Sequence, residues 1–132
     1  MTKQQLMISP LKRAVTALQD ALHQPKNEFT RDATIQRFEY TFELCWKMLK
    51  RHLLQETGVA EYSLKNIFRE AARQGLLSNE EHWLSYLEAR NLTSHTYNEK
   101  TAEAIYLIAK QFAPDAAALL GQLEKIYHDT AH

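Results

Sequence analysis

Between Pro25 and Gly58 the chain carries apolar side chains at helical spacing over its whole length. Ile35, Phe38, Phe42, Cys45, Leu49 and Leu53 form one stripe, flanked by Trp46 and widened by Tyr40, Leu44 and Met48. A helix from Asn27 or Thr30 to Thr57, closed by Gly58 as its left-handed C-terminal residue, is the longest element predicted. Its apolar band is too broad for one neighbour, so this helix is expected to pack on two sides, or on one side against a second protomer. The other segments have to be arranged around that rod.

Ser9-Pro10 predicts the start of a first helix, with Ser9 as N-cap and Pro10 where its missing N–H costs nothing. Leu11, Val15, Leu18 and Leu22 then repeat at helical spacing until Pro25 ends the helix near residue 24 and makes a helical hairpin with the long one. Ser63 caps a short third helix, Leu64 to about Gln74, stopped by Gly75; Lys65, Arg69 and Arg73 form its solvated basic ridge. The run Ser78-Asn-Glu-Glu81 matches a capping box and starts a fourth helix near Asn79, through Trp83, Leu84, Leu87 and Arg90. Beyond Leu92 the run Thr-Ser-His-Thr-Tyr-Asn weakens helix. Asn98 caps a fifth, and Pro114 either kinks it or divides it from a last segment, Asp115 to about Tyr127. Helices without a convincing strand predict an all-α fold: an antiparallel, up-and-down bundle of four to five helices in a single domain spanning residues 1–132.

Charge narrows the function classes. Sixteen basic residues balance sixteen acidic ones, so nucleic-acid binding has to be local, and neutrality favours self-association. Lys47, Lys50, Arg51 and His52 suit the C-terminal dipole of the long helix, or form a nucleic-acid patch. The single Cys45 has no disulfide partner within the chain and fits a reducing cytoplasm as a buried thiol. The N-terminal apolar run is too short for a secretion signal, and no segment approaches the roughly 20 apolar residues of a membrane span, so a cytoplasmic protein without a membrane partner is expected. There is no glycine-rich phosphate loop, no His-Glu-x-x-His and no Cys-x-x-Cys. Neither cofactor nor metal is expected, ATP chemistry has to come from a partner, and His128 and His132 read as a chance pair in a tail.

The stretch Glu88-Ala-Arg-Asn-Leu-Thr-Ser-His-Thr-Tyr97 reads as a site. On an ideal helix Arg90, Ser94 and Tyr97 fall on the side of Trp83 and Leu87, which puts an arginine on the apolar side. Such an arginine needs a glutamate on a neighbouring helix or an anion in a groove. Glu39 and Glu43, one turn apart, repel each other unless offset. Lys47 offsets Glu43 by its spacing, or one of the two glutamates crosses the bundle to hold Arg90 in place. Metal-free RNA cleavage needs a group that moves the 2′-hydroxyl proton and a cation for the phosphorane. Arg90 fits as the clamp, His95 as the acid and base, and Asn91 and Ser94 as groups that position the phosphate. In a continuous helix Arg90 and His95 point about 140° apart and stand about 7.5 Å apart along the axis. The helix is therefore expected to unwind after Leu92, and a second copy of the chain to complete the site.

These residues resemble a known family. Arg90-Asn-Leu-Thr-Ser-His95-Thr-Tyr97 resembles the Arg-x4–6-His signature of HEPN domains, in the extended form of toxins paired with minimal nucleotidyltransferases. Arg37-Phe-Glu-Tyr-Thr-Phe-Glu-Leu-Cys-Trp-Lys47 is similar to the subgroup called nucleotidyltransferase substrate-binding proteins. The resemblance implies a homodimer of HEPN-like bundles with Arg90 and His95 of both subunits lining a cleft, and a metal-independent endoribonuclease acting on RNA. It implies that the partner nucleotidyltransferase, as antitoxin, attaches AMP to Tyr97. The subgroup's name implies another job: presenting a substrate to the nucleotidyltransferase without catalysis.

Overall fold

A computed structural model of the chain describes residues 6–59 and 62–127. Among them five helices occur and no strand: α1 (Ser9–His23), α2 (Glu28–Thr57), α3 (Leu64–Arg73), α4 (Glu80–Asn91) and α5 (Glu99–Ile126), with a single 3₁₀ turn at Thr93–His95 between the last two. The long helix α2 is the centre. It packs against α1 on one side and α5 on the other, with α3 and α4 closing the bundle. The two-sided packing expected from its broad stripe is what the fold uses.

Most boundaries follow from local chemistry. Asn27 Oδ1 accepts the Thr30 N–H at 2.9 Å while Thr30 Oγ1 accepts the Asn27 N–H at 2.8 Å, a reciprocal capping box at the start of α2. Gly58 ends the helix at φ 74°, a left-handed conformation that a Cβ would strain. Ser63, Asn79 and Asn98 cap α3, α4 and α5 by accepting the N–H of Asn66, His82 and Thr101.

Two boundary expectations need correction, and one alternative is decided. Ser9 does not cap α1: the helix starts at Ser9, its N-cap is Ile8, and no side chain caps it. Leu6 and Ile8 are buried, so burial of the entering chain, rather than a hydroxyl cap, sets the start. In α4 the capping side chain belongs to Asn79 rather than Ser78. Pro114 does not divide α5, which runs unbroken through it. The Tyr86 hydroxyl donates to the Asp115 carboxylate and to the Gln111 carbonyl at 3.3 Å, binding α4 to the proline turn.

The core is aromatic at its middle. Phe38, Phe42, Phe68, Tyr86 and Phe112 are fully buried and Trp83 nearly so. Phe112 stands edge-on to Phe38 and to Tyr86, in both cases with ring centroids 5.1 Å apart, the arrangement ring quadrupoles favour. Cys45 sits in the same stripe, where burial pushes its thiol far above the ordinary value. His52 is no part of a basic surface patch: it is buried, with Nδ1 2.5 Å from the Tyr127 hydroxyl. No helix among the described residues is long and apolar enough to cross a membrane.

Candidate functional site

Arg90 arrives at the site because α4 places it in register with Trp83 and Leu87, both buried, in the last turn of the helix. Its side chain is 28% exposed, and its Nε lies 3.4 Å from Oε1 of Glu43 on α2. Nε makes no hydrogen bond, so the two groups attract as charges without a directed N–H···O contact. The guanidinium carbon stands 5.9 Å from the centroid of the Phe42 ring, and the terminal nitrogens Nη1 and Nη2 make no hydrogen bond among the described residues. Of the two accounts of the Glu39/Glu43 pair, the structure supports the crossing to Arg90, made by Glu43. Glu39 is exposed and unpaired among the described residues. Glu43 receives a hydrogen bond from the Trp46 indole at 3.0 Å, while Lys47 stands over the Trp46 ring, 5.7 Å from its centroid.

Beyond Asn91 the chain leaves the helix. The Thr93 hydroxyl donates to the Arg90 carbonyl at 2.7 Å, and the turn closes with His95 N–H to the Leu92 carbonyl at 2.9 Å. This is the unwinding expected after Leu92. It also corrects the register: Tyr97 is not on the buried side but 83% exposed, because a 3₁₀ turn rotates each residue further than an α-helix and carries it out of line with Trp83 and Leu87. His95 and Tyr97 come together at the surface with ring centroids 5.9 Å apart and nearly perpendicular planes. The Tyr97 hydroxyl is 3.5 Å from His95 Nδ1, at the outer edge of hydrogen bonding.

The site residues thus form two groups. Arg90 and Glu43 are one and His95 and Tyr97 the other; no hydrogen bond, ion pair or ring contact joins Arg90 to His95. Asn91, the last residue of α4, and Ser94, on the connecting turn, are exposed and make no side-chain hydrogen bond among the described residues. No group of three or more His, Cys, Asp or Glu able to hold a metal occurs among the described residues, and His128 and His132 lie outside them.

One element that holds this region escaped the sequence reading. Arg31, 5% exposed near the start of α2, donates from Nη1 to Glu99 Oε2 at 2.6 Å and to Glu103 Oε1 at 3.2 Å, and from Nε to Asp32 at 3.1 Å. Lys26 adds a second cation on Glu103. The cluster ties the N-terminus of α5, and with it the end of the His95–Tyr97 turn, to α2. The guanidinium of Arg31 holds Glu99 below the usual carboxylate range, while Lys26 and then Arg31 do so for Glu103. No spacing rule links residues 68 positions apart, so nothing local marked this arginine.

Known proteins resemble this chain in sequence and in shape. It is 40% identical over 95 residues to a Haemophilus influenzae protein named probable ribonuclease HepT; the match covers 69% of this chain and 65% of that relative's length. Its fold matches that of an H. influenzae protein whose structure is described as revealing the fold of a substrate binding domain of a nucleotidyltransferase. The TM-score is 0.83 at 32% identity, covering 89% of this chain and 99% of that one. A crystal structure from Thermus thermophilus matches with a TM-score of 0.78 at 37% identity, over 86% of this chain and 98% of the other. Residues 6–125 match the family described as nucleotidyltransferase substrate binding protein like, and the chain belongs to that family.

Proposed function

We propose that the protein is the HEPN toxin of a toxin–antitoxin pair, a metal-independent endoribonuclease whose Arg90 and His95 act in a cleft between two copies of the chain. The observation that carries this reading is the state of Arg90. Its guanidinium lies with Nε beside Glu43 while neither terminal nitrogen makes a hydrogen bond among the described residues, which leaves those donors for a phosphate. His95, exposed on the turn that follows, takes the proton of a ribose 2′-hydroxyl as its oxygen attacks the adjacent phosphorus. The bond to the 5′-oxygen breaks, that oxygen takes up a proton, and a 2′,3′-cyclic phosphate remains; Arg90 offsets the charge that builds on phosphorus. Asn91 and Ser94, with their side chains free, hydrogen-bond the phosphate. The homologue named as a probable ribonuclease supports this chemistry.

A second copy completes the site, since no hydrogen bond or ion pair brings Arg90 and His95 together within one chain. The outer face of α2 supports such pairing: Phe29, Tyr40 and Leu54, 85%, 40% and 45% exposed, fall within about 40° of one another around the helix. Tyr97 is the point of control. Its exposed hydroxyl attacks the α-phosphorus of ATP on the partner nucleotidyltransferase, pyrophosphate leaves, and the phenolic proton passes to a base; His95 Nδ1 stands 3.5 Å away. The AMP then fills the approach to His95 and repels RNA phosphates.

Expression of the protein alone tests the first claim: wild type is expected to arrest growth and degrade RNA, and equal harm from the His95→Ala variant overturns it. Incubation with ATP, magnesium and the partner nucleotidyltransferase is expected to add the mass of one AMP, absent in Tyr97→Phe. A second reading, a non-catalytic subunit that docks on a nucleotidyltransferase or presents its substrate, is supported by the family description and by the structure described as a substrate binding domain. It requires that neither the isolated protein nor the complex cleave RNA, and Arg90-dependent cleavage contradicts it.

A further inference from the structure

Glu43 has three claimants. Arg90 approaches it across the bundle, Lys47 follows at the i,i+4 spacing that favours an ion pair, and Trp46 follows at i,i+3. The outcome is unusual for an arginine beside a carboxylate. The common geometry is a fork, two parallel N–H groups on two oxygens, which would take up one edge of the guanidinium and partly neutralise its charge before an anion arrives. Here the Trp46 indole, a donor with no alternative role, takes Oε2 at 3.0 Å, and Arg90 approaches only Oε1, through Nε. Lys47 stands over the Trp46 ring instead of on Glu43. The Trp46 ring is packed against the core, so its N–H has a fixed direction.

We infer that Trp46 is a positioning residue for Arg90: by holding one oxygen of Glu43 it prevents that carboxylate from closing a fork on the guanidinium, and it keeps Nη1 and Nη2 free for a phosphate. This deepens the ribonuclease reading and rests on Arg90 as the phosphate-binding cation. It also explains how a protein can keep a glutamate beside that cation without neutralising it. Glu43 restrains Arg90 at its inner nitrogen, and Trp46 restrains Glu43.

The Trp46→Phe variant keeps an aromatic ring against the core but removes the N–H together with part of the indole, so melting temperature is measured as the control for packing. The first readout needs no RNA. In ¹⁵N–¹H spectra of the full-length protein the Arg90 Nε–H signal is expected to move in Trp46→Phe, and Glu43→Gln and the double variant are expected to give the same position as each other. An unmoved Arg90 signal in a folded Trp46→Phe protein overturns the inference. The second readout is affinity for an RNA oligonucleotide with 2′-O-methyl groups, which cannot be cleaved, with Arg90→Ala setting the floor. Trp46→Phe is expected to bind about five-fold more weakly, the effect of one hydrogen bond. Added to Glu43→Gln it should cost nothing further, because it acts through that carboxylate. Full additivity of the two substitutions contradicts the inference. If wild type fails to bind the oligonucleotide, the ribonuclease reading fails, while the Arg90 signal still decides the role of Trp46.

Discussion

Two of the arginines that face inward, Arg31 and Arg90, differ in their surroundings. Arg31 is 5% exposed and is bonded to Asp32, Glu99 and Glu103, and these bonds hold it charged at any pH the protein meets. Arg90 is 28% exposed, has one carboxylate at 3.4 Å through Nε, and keeps its terminal nitrogens unpaired. A guanidinium whose donors are all used holds helices together. One whose fork is left open beside a surface turn is suited to an external anion. Under the proposed function the same residue type is a tie at the start of α2 and a clamp at the end of α4.

The sharpest separation is in catalysis. Arg90→Ala is expected to lower RNA cleavage by about 10²–10³-fold, the usual effect of removing a preorganised charge-stabilising donor, and a fall of less than about five-fold would move Arg90 to the structural side. Arg31→Ala is expected to do the reverse. It loses charged hydrogen bonds at a buried position, about 2 kcal/mol of stability by denaturant unfolding, without a comparable loss of cleavage in the folded fraction. Arg90→Ala should change stability by less than about 1 kcal/mol, since its pair with Glu43 is partly exposed and lacks a directed bond.

A smaller effect separates the two sites by pH. Glu99 and Glu103 have folded-state values below the ordinary 4.5, so their contribution to stability is complete above that pH and is lost as the pH falls through the lowered values. Glu99→Gln with Glu103→Gln is therefore expected to flatten the decline of melting temperature below pH 4.5. An unchanged slope would mean that the Arg31 cluster does not carry the acid sensitivity. The smallest expected effect is that of Tyr97→Phe, which leaves melting temperature and RNA cleavage nearly unchanged, the ring being 83% exposed, and removes only the AMP-dependent mass gain.

How far these features were legible depended on how local their causes are. Asn27, Ser63, Asn98, Gly58 and Gly75 announced helix ends because capping and left-handed turns are written within four residues. The end of α4 was legible for the same reason, yet the side that Tyr97 faces was not, since a helical wheel carried past Leu92 ignores the turn that breaks it. The crossing from Glu43 to Arg90 appeared in the sequence as one of two alternatives, and only packing chose between them. The Trp46 bond to Glu43 was within reach, at i,i+3 on one helix, but an indole beside an apolar stripe reads first as core. Arg31 and His52 were not legible as interior groups, because their partners come from the far end of the sequence.

The composite site has one direct test. Purified Arg90→Ala and His95→Ala proteins, each inactive alone, are mixed under conditions that exchange subunits, and RNA cleavage is measured in the presence of a chelator. If a second copy completes the site, half the dimers are mixed and each regains one intact Arg/His pair, so activity should return to about a quarter of the wild-type level. A mixture that stays at the level of its parents, while wild type cleaves under the same conditions, contradicts a site shared between two copies.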